Sequence, residues 1–484
     1  MDKSQEKTHH EIFALRNDLL RSNKLFEDNS FPLHAPGSKI KWLRPREICK
    51  NPQLIVEEIS RFDVNQGALG NCWFMAAIDC LARHKQLFYE VVRETNSSFT
   101  DGAYCGLFHF RFWYFGSWTN VIIDDRLPTR DKKLVFVTSK SENEFWPALL
   151  EKAYAKLYGG YEKLEGGHVT EGLADLTGGV TEVYDLKDRP GYFYEMICKA
   201  FKRNTLMGAA KYNESRNIGL TAGHAYAITH ITPVADVYGN HINLIRIRNP
   251  WGNEKEYTGD WSDSSMKWNI ISIKEKQRIK WDPKGDGEFW MLFEDFLIHF
   301  DYLEICNLLP DLLTREPHSG RQWKFTSFRE VWKKNGAIHH IFSAVDPDTD
   351  DNEEYCTVVL AVMSLRRNRN EKNRRIRLKI TTPDDQTFQR ISIPNDYNRR
   401  EYVFRYDMVP GTYDLEILSY YNNDTFEYLF RIFYETKKDI NHPLMLYQPL
   451  NTCKKACKST ENGNAKEMVY YSQKKYETRF CNIL

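Results

Sequence analysis

The spacing of apolar residues divides this chain into a front part of mixed structure and a rear part made of strands. Residues 73–82 form a continuous apolar run of good helix formers, which predicts a buried helix. Residues 146–158 predict a second helix, because Pro147 is tolerated in the first helical turn. Short apolar runs predict the strands of the front part, at residues 108–115, 121–124, 224–231, 242–248 and 289–292.

From about residue 323 to 434 the runs become short and alternating, with turn residues between them, which is typical of an antiparallel β-sandwich. The predicted strands are 338–344, 356–363, 376–380, 402–406, 413–418 and 426–433. Glycine pairs at 166/167 and 178/179 indicate a hinge within the front part. The predicted fold class is therefore α+β, with an N-terminal arm at 1–30, a first lobe at 31–167, a second lobe at 168–315, a sandwich at 316–440 and a polar tail at 441–484.

Length, charge and cysteine usage narrow the class of protein. A formal net charge of +1 over 484 residues gives no global reason to expect a nucleic-acid partner. No apolar run approaches the roughly 18 residues that a membrane span needs, and residues 1–23 lack the apolar core of a secretory signal. The ten cysteines form no CxxC pair, and no histidine cluster has zinc spacing. We therefore expect a cytoplasmic protein with mostly free thiols.

The chemistry of the chain centres on the turn that leads into the first predicted helix. Gly67 and Gly70 permit a tight loop there, and Cys72 follows at the mouth of the apolar run. The unpaired N–H groups at a helix start favour a thiolate, which is the reactive form of cysteine. Gln66 lies across the loop, where its amide could donate a hydrogen bond to an oxyanion beside the sulfur.

A lone cysteine is more often a buried packing residue, so the nucleophile hypothesis needs a base and an orienting group. His224 opens an apolar strand-like run directly after a glycine. Asn249 ends an alternating strand, and Trp251 follows it. Cysteine, histidine and asparagine in this order, with a preceding glutamine, follow the pattern of papain-like cysteine proteases. The sequence therefore predicts a catalytic set of Cys72, His224, Asn249, Gln66 and Trp251.

Three segments, QGALGNCW at 66–73, GHAY at 223–226 and RIRNPWG at 246–252, resemble the calpain family of calcium-dependent intracellular cysteine proteases. The resemblance covers roughly residues 24–440 and includes KWLRP at 41–45, NEFWPALLEKAY at 143–154 and LTGGVTE at 176–182. It implies a papain-like two-lobed core followed by a β-sandwich, and limited cuts in protein substrates. Cys72 and His224 fall on different lobes, so the active site forms only when the lobes meet.

The resemblance also implies two calcium ions, one in each lobe. In the first lobe the implied side-chain ligands are Asp63 and Glu144, with the backbone oxygens of Val56 and Glu58. Glu58 stands where the family usually has glycine. Taken singly, such carboxylates are more typical of a solvated surface, so the prediction depends on the combined pattern.

The implied second site takes four side chains and one backbone carbonyl, from Glu256, Asp263, Asp286, Glu288 and the carbonyl of Lys284. The loop at 253–256 is one residue longer than the family pattern, which leaves Glu254 as an alternative to Glu256. Arg61 and Glu288 are implied to pair across the lobes.

Partner predictions rest on the rear part of the chain. The acidic loop at 346–354 and the basic segment at 366–377 are each more typical of solvated loops, although the resemblance implies surfaces for activation and for anionic lipid. No EF-hand pattern occurs, so recruitment of an EF-hand small subunit is not expected. The final Cys481-Asn482-Ile483-Leu484 has a prenylation shape with an unfavourable Asn482, and Cys453 or Cys457 could carry a second acyl group. Peripheral membrane contact would then come from the sandwich or from a lipidated Cys481.

Two other functions remain compatible with the sequence. One is a calpain-like scaffold that docks partners in a calcium-dependent way, against which the intact Cys, His, Asn and Gln argue. The other is a papain-like deubiquitinating or acyl-transfer enzyme, which would need a ubiquitin-type pocket that the residue pattern does not indicate.

Overall fold

A computed structural model describes residues 7–31, 33–37, 39–93, 99–100, 102–214, 218–253, 256–308, 321–332, 337–344, 356–365, 376–382, 387–393, 400–419 and 426–437. The described residues separate into two compact units, one within 7–308 and the other within 321–437. The predicted acidic loop, most of the basic segment and the polar tail with Cys453, Cys457 and Cys481 lie outside the described residues, as does Glu254.

The first unit begins with a helix-rich region. Its elements are α1 (His9–Arg21), β1 (Lys41–Leu43), α2 (Pro45–Ile48), α3 (Cys72–Ala82), α4 (Lys85–Val91), β2 (Leu107–Tyr114), β3 (Ser117–Asp124), β4 (Leu127–Arg130), β5 (Lys133–Leu134), α5 (Trp146–Tyr158) and α6 (Val169–Thr177). Every residue of α3 is buried, as the continuous apolar run predicts. The segment before residue 30 contains a helix, α1, that starts at a capping box between Thr8 and Glu11.

Packing in this region is dominated by aromatic and aliphatic side chains around α3. Phe74 stacks on Tyr154 of α5 with ring centroids 3.8 Å apart, and Phe112 of β2 meets Tyr154 edge-on. The two predicted strands at 108–115 and 121–124 form one hairpin, in which Trp113 of β2 faces Trp118 of β3. The second strand therefore starts at Ser117, earlier than the sequence pattern predicted. The side of helix α3 that faces the first lobe is thus closely packed.

The remainder of the first unit is built on one antiparallel sheet. Its elements are β6 (Val180–Asp185), α7 (Phe193–Lys202), β7 (Leu206–Lys211), β8 (His224–Ala235), β9 (His241–Arg248), α8 (Ile273–Arg278), β10 (Glu288–Leu292), α9 (Phe293–His299) and β11 (Tyr302–Asn307). The strand order is β10-β9-β8-β7-β11-β6. Arg248 at the end of β9 lies opposite both Ala227 of β8 and Glu288 of β10. This register places the end of β9 beside the starts of β8 and β10, together with the loops that adjoin them.

Helix α3 connects the two parts of the first unit. Cys80 on this helix donates a hydrogen bond from Sγ to the carbonyl of Met207 on β7, at 3.2 Å. Arg83, which follows the helix, donates from Nη1 to the carbonyl of Ile228 on β8, also at 3.2 Å. The helix that begins with Cys72 therefore lies directly against the sheet whose strand β8 begins with His224.

The second unit contains two four-stranded antiparallel sheets. Its strands are β12 (Arg321–Trp332), β13 (Ala337–Ala344), β14 (Cys356–Ser364), β15 (Ile376–Thr381), β16 (Thr387–Ile393), β17 (Glu401–Met408), β18 (Gly411–Ser419) and β19 (Phe426–Lys437). The sheet orders are β12-β19-β14-β17 and β13-β18-β15-β16. One buried cluster draws residues from both sheets, among them Leu360, Phe430, Leu378 and Leu415. The predicted α+β class with an antiparallel, sheet-rich rear part is confirmed.

Six strands of this unit match the predicted runs, and two were not predicted as separate strands. The missed strands are β12 and β16, at residues 321–332 and 387–393. Among the described residues, strand β12 lies at the edge of its sheet with β19 as its neighbour. Its sequence is rich in charged residues, so a search for apolar alternation passes over it. Across the described residues, no helix combines the length and apolar character that crossing a bilayer requires.

Candidate active site

Cys72 opens α3 and is only 4% exposed. The preceding Asn71 makes no side-chain cap on this helix, and instead its Nδ2 donates to Oε1 of Glu151 at 2.7 Å. The other Glu151 oxygen accepts the backbone N–H of Val137 at 3.2 Å. A Cβ on Gly67 would lie 2.2 Å from the carbonyl oxygen of Phe136, so only glycine fits there. The turn before Cys72 is thus held from behind by buried groups of its own lobe.

Gln66 links this turn to the other lobe. Its backbone N–H donates to the carbonyl of Pro250 at 2.9 Å, in the loop between Asn249 and Trp251. Its side-chain Nε2 donates to the carbonyl of Leu69 at 2.7 Å. A carbonyl accepts and does not donate, so this contact fixes which end of the amide is the nitrogen. One further N–H of Nε2 remains for another acceptor, and Gln66 Oε1 is buried without a hydrogen-bond partner.

His224 and Asn249 meet on the facing sheet. The imidazole Nε2 of His224 lies 2.8 Å from Oδ1 of Asn249, and the same Oδ1 accepts the backbone N–H of Trp251 at 3.1 Å. An amide oxygen can only accept, so the ring proton sits on Nε2 and leaves Nδ1 as the acceptor. The rings of His224 and Trp251 are 4.8 Å apart, so the indole lies beside this contact.

The protonation state of His224 follows from its burial. Burial lowers the pKa of His224 to about 4, and the hydrogen bond to Asn249 acts in the opposite direction. The imidazole is therefore neutral at pH 7 and can accept a proton at Nδ1. Tyr226 packs edge-on against His224 with ring centroids 4.9 Å apart. Burial raises the pKa of Tyr226 to about 12, and the negative charge of a Cys72 thiolate contributes to that rise. Cys72 thus lies within electrostatic range of a side chain that touches His224.

Two predicted carboxylates of the first lobe come together. Glu144 Oε1 accepts the backbone N–H of Val56 at 2.6 Å, and Asp63 Oδ2 accepts that of Ser60 at 2.8 Å. Burial raises the pKa of both acids, and the charge of Asp63 raises that of Glu144 further. Paired, half-buried oxygens of this kind suit a hard cation such as calcium. The side chain of Glu58 is 79% exposed and pairs with Lys85 at 3.1 Å, so only its backbone carbonyl is available to a site here.

The four acids predicted for the second lobe also share one region. Burial raises the pKa of Asp263 to about 7, followed in effect by the charges of Glu256, Asp286 and Glu288. Its Oδ2 is buried and has no hydrogen-bond partner. Glu256 accepts the backbone N–H of Gly287 at 2.8 Å, between the other two acids. A carboxylate with one buried oxygen that lacks a hydrogen-bond partner, in a region with three other acids, fits a cation site.

Within the part of the chain that the structure describes, no group of three or more His, Cys, Asp or Glu side chains has the arrangement of a metal site by itself. The first predicted site has only two carboxylates and depends on the backbone carbonyls of Val56 and Glu58, whereas the four carboxylates of the second predicted site do not form such a group in this structure. The donors in both places, carboxylates and backbone carbonyls, are of the type that calcium binds.

A buried ion-pair network joins the lobes. Arg61 donates to both oxygens of Glu288, from Nε at 2.8 Å and from Nη2 at 2.7 Å. Arg246 of β9 lies 3.3 Å from the same carboxylate. The predicted partners Arg61 and Glu288 are thus in contact. The fork-shaped geometry of the guanidinium fixes distance and orientation together.

Sequence reasoning missed two buried contacts, one across the lobes and one within the first lobe. Arg248 donates from Nη1 to Oδ2 of Asp79 at 2.6 Å, and both side chains are fully buried. The other is the contact between Asn71 and Glu151. The sequence did indicate that Asp79 needs a buried partner, since Asp79 is the single charged residue in the apolar run 73–82. Arg248 alternates with apolar residues along β9. This pattern predicts which face of the strand carries Arg248 but not which residue it contacts.

Taken together, the geometry defines a class of protein. A cysteine at the start of a buried helix, packed on a sheet that carries a hydrogen-bonded histidine and asparagine, is the arrangement of papain-like cysteine proteases. A family model for the calpain family cysteine protease matches residues 21–307. The chain belongs to the calpain family of cysteine proteases.

Three relatives illustrate the extent of the similarity. Calpain-A of Drosophila melanogaster is 40% identical over 88% of this chain and 58% of its own length. The calpain-1 catalytic subunit of Mus musculus is 38% identical over 88% of this chain and 66% of its own. The calpain-2 catalytic subunit of Homo sapiens is 38% identical over 88% and 68% respectively. The chain thus spans between about half and two thirds of the curated relatives it matches. A solved Yersinia pseudotuberculosis-derived mitogen matches 27% of the chain and is covered over 97% of its own length, with 10% identity and a TM-score of 0.17, too low for any argument.

Proposed function

We propose that this protein is a calcium-activated intracellular cysteine endopeptidase that makes limited cuts in protein substrates. The observation that carries the proposal is the contact between His224 and Asn249, set on a sheet against the helix that begins with Cys72. A scaffold protein has no chemical use for an imidazole that an amide holds in one tautomer on a strand packed against a helix that begins with a cysteine.

The reaction begins at Cys72. The helix start favours its thiolate, and His224 takes up the thiol proton at Nδ1 while Asn249 holds Nε2–H. The sulfur attacks the peptide carbonyl carbon and forms a thioester as the C–N bond breaks. The imidazolium gives its proton to the leaving amine, and a water molecule then hydrolyses the thioester. Trp251 shields the bond between His224 and Asn249 from competing water.

Gln66 and the backbone N–H of Cys72 are proposed to stabilise the oxyanion. The contact of Gln66 with Leu69 uses one N–H of the side-chain amide and leaves the other to donate to the substrate oxygen. Its backbone bond to Pro250 ties this donor to the loop that carries Asn249. The oxyanion donor of the first lobe is therefore in contact with the second lobe only when the two lobes are together.

Calcium, when bound, supplies positive charge that draws converging carboxylates and carbonyl oxygens into fixed positions. We propose one ion among Asp63, Glu144 and the carbonyls of Val56 and Glu58. We propose a second among Glu256, Asp263, Asp286, Glu288 and the carbonyl of Lys284. Gly287 lies between two of these acids and accepts the backbone N–H of Asn249 at 2.8 Å. The second acidic cluster is thus joined to the catalytic asparagine by one hydrogen bond.

The first experiment measures casein cleavage over a range of free calcium for wild type, Cys72→Ala, Asn249→Ala and Cys198→Ala. We expect calcium-stimulated cleavage by wild type and Cys198→Ala, none by Cys72→Ala, and a rate reduced by about 100-fold or more in Asn249→Ala because the imidazole loses its orientation. Cys198 is a half-buried thiol outside the site and serves as the matched control. Wild type without calcium-stimulated, Cys72-dependent cleavage would support the scaffold alternative.

The calcium sites are tested by titration calorimetry and by the calcium dependence of cleavage. Asp63→Ala and Asp286→Ala should each remove one binding event and raise the calcium concentration for half-maximal rate. Asp282→Ala is the matched control, since that carboxylate is 58% exposed, pairs with Lys284 and is not a proposed ligand. Equal behaviour of Asp286→Ala and Asp282→Ala would contradict the second site.

A further inference from the structure

Asp79 and Arg248 form a buried ion pair between the two lobes. Asp79 lies on α3 and is 0% exposed, and its Oδ2 accepts from Arg248 Nη1 at 2.6 Å. Arg248 ends β9 and is also 0% exposed. Its Nη2 donates to the backbone carbonyl of Val64 at 3.0 Å. One guanidinium from the second lobe therefore binds two separate points of the first lobe.

The position of the pair relates it to the reacting groups. Asp79 follows Cys72 by seven residues, about two helical turns, so both side chains project from nearly the same face of α3. Arg248 directly precedes Asn249, whose Oδ1 holds the imidazole of His224. A contact at Asp79 thus sets the position of β9 along and across the helix that carries Cys72.

Stability alone does not account for this pair. Buried ion pairs are often matched or exceeded in stability by packed apolar side chains, because both charges lose their hydration. Here the loss is increased, since Asp79 Oδ1 and Arg248 Nε are buried without a hydrogen-bond partner. A directional ion pair fixes one relative position of α3 and β9, whereas apolar contacts between them allow several.

The pair is distinct from the other ion pair across the lobes. The Arg61 side chain is 21% exposed and Glu288 belongs to the acidic cluster proposed to bind calcium. Asp79 and Arg248 belong to neither acidic cluster. Because the charge of Arg248 also acts on Asp63 and Asp286, the effect of this contact on the catalytic groups is measured at saturating calcium.

We propose that Asp79 is a positioning residue for peptide cleavage, which acts through Arg248 on Asn249 and so on the placement of His224 relative to Cys72. This inference rests on the proposed function. Asp79 touches no substrate. Its effect is on the rate of the chemical step at saturating calcium, because a misplacement of about 1 Å between reacting groups can cost roughly 100-fold.

The test uses the whole chain at saturating calcium with Asp79→Asn, which keeps the size of the side chain and removes its charge. We expect kcat to fall by about 10- to 100-fold with KM within about twofold of wild type, because substrate contacts are unchanged. Asp175→Asn is the matched control. Asp175 is also 0% exposed, and its carboxylate accepts from Tyr154 and from Tyr158 within the first unit, away from β9. Equal losses of kcat in both variants, or wild-type kcat in Asp79→Asn, would overturn the proposal.

A second readout does not require cleavage. Timed alkylation of Cys72 by iodoacetamide, followed by mass spectrometry of its peptide between pH 5 and pH 9, reports how well the imidazole supports the thiolate. Asp79→Asn should shift the midpoint of that profile upward by about one pH unit, whereas Asp175→Asn should not. If wild type cleaves nothing but this shift occurs, the proposed function fails and the positioning role stands. If the wild-type profile shows no enhanced reaction below pH 8, or if Asp79→Asn leaves it unchanged, the positioning role fails.

A double variant addresses the case in which Asp79→Asn does not fold. Asp79→Leu/Arg248→Met replaces the pair by apolar side chains of similar size, so the thermal unfolding midpoint should stay near that of wild type. Its kcat should still be at least tenfold lower, because the register is no longer specified. A folded double variant with wild-type kcat would overturn the proposal.

Discussion

At the scale of single residues, one amide oxygen determines the chemical state of the imidazole. Asn249 Oδ1 accepts from His224 Nε2 and from the backbone of Trp251, so the asparagine is itself held in place. Because both contacts need an acceptor, neither the amide nor the ring can flip without losing a hydrogen bond. Asn249 thus selects the tautomer of His224 in which Nδ1 carries no proton and can accept one.

The buried imidazole of His224 should make stability depend on pH. Its pKa is lowered from 6.5 to about 4, so its neutral form contributes stability that is complete above pH 6.5 and lost as the pH falls toward 4. The full contribution is about 3 kcal/mol, of which about 2 kcal/mol disappears between pH 7 and pH 5. We therefore expect the thermal midpoint of His224→Gln to fall by roughly 3 °C less than that of wild type over this interval.

The control for this measurement is His10→Gln, since His10 is exposed at the start of α1. That variant should show the same decrease between pH 7 and pH 5 as wild type. An equal decrease in His224→Gln would mean that the imidazole is charged in the folded protein, contrary to its burial.

Residue chemistry could be predicted from sequence where it depends on local context. The cysteine after a glycine-rich turn, the histidine at a strand start and the asparagine at a strand end are all visible in short windows. The partner of Asp79 was not visible, because Arg248 lies 169 residues away and many arginines satisfy the same local description. The orientation of Gln66 also depended on a contact, with Leu69, that side-chain type does not specify.

At the scale of elements, the loop after β9 determines how closely the lobes approach. Gly252 has a φ of +61°, and a Cβ on it would lie 1.7 Å from Oδ1 of Asn65 in the other lobe. Asn65 is fixed by backbone bonds in both directions to Thr138. Any other residue at this position would therefore require the Asn65 side chain to rotate or the loop that carries Trp251 to move away from the first lobe.

Substitution of Gly252 should therefore reduce activity. Gly252→Ala adds a methyl group that must displace the loop or Asn65, and we expect kcat/KM to fall by at least about tenfold. Gly239→Ala is the matched control, because Gly239 also has a positive φ of +87° but has no atom within 4 Å of the added Cβ. Both variants pay a backbone cost of about 1 kcal/mol, and only the first has the clash. Similar kcat/KM values in the two variants would contradict this role of the loop.

Prediction of elements succeeded where periodicity was strong. The helices at Cys72–Ala82 and Trp146–Tyr158 and the six matching strands of the second unit follow from apolar runs of the expected length. Strands β12 and β16 were missed because edge strands need less apolar alternation. The early start of β3 at Ser117 was missed because its first residues gain their strand conformation by pairing with β2.

At the scale of the whole first unit, ion pairs connect two lobes whose hydrophobic cores are largely separate. Arg61 reaches Glu288 across 227 residues of sequence, and Glu288 also binds Arg246. Glu288 is at the same time one of the proposed calcium ligands. The carboxylate can therefore couple cation binding to the approach of the lobes, since both use its charge.

Removal of the ion pair between Arg61 and Glu288 should increase the calcium concentration that cleavage requires. Arg61→Gln deletes the bond across the lobes and leaves Glu288 with Arg246, so the assembled state loses stability while both acidic clusters keep their carboxylates. We expect the calcium concentration for half-maximal cleavage to rise by roughly fivefold or more, which corresponds to about 1 kcal/mol. Arg278→Gln removes an exposed ion pair with Glu275 inside one lobe and should leave that concentration unchanged. A wild-type calcium requirement in Arg61→Gln would show that this bridge does not couple the lobes to calcium.

The sequence by itself determined the local elements, the class of each candidate residue and the family resemblance, because helix starts, strand alternation and turn glycines depend on neighbours within a few positions. Tertiary structure decided which of these residues meet. The contacts of His224 with Asn249, of Arg61 with Glu288 and of Arg248 with Asp79 join separate elements, the last two across both lobes. Such partners are selected by packing of buried surfaces and by the need to pair every buried charge, and no short window of sequence contains that information.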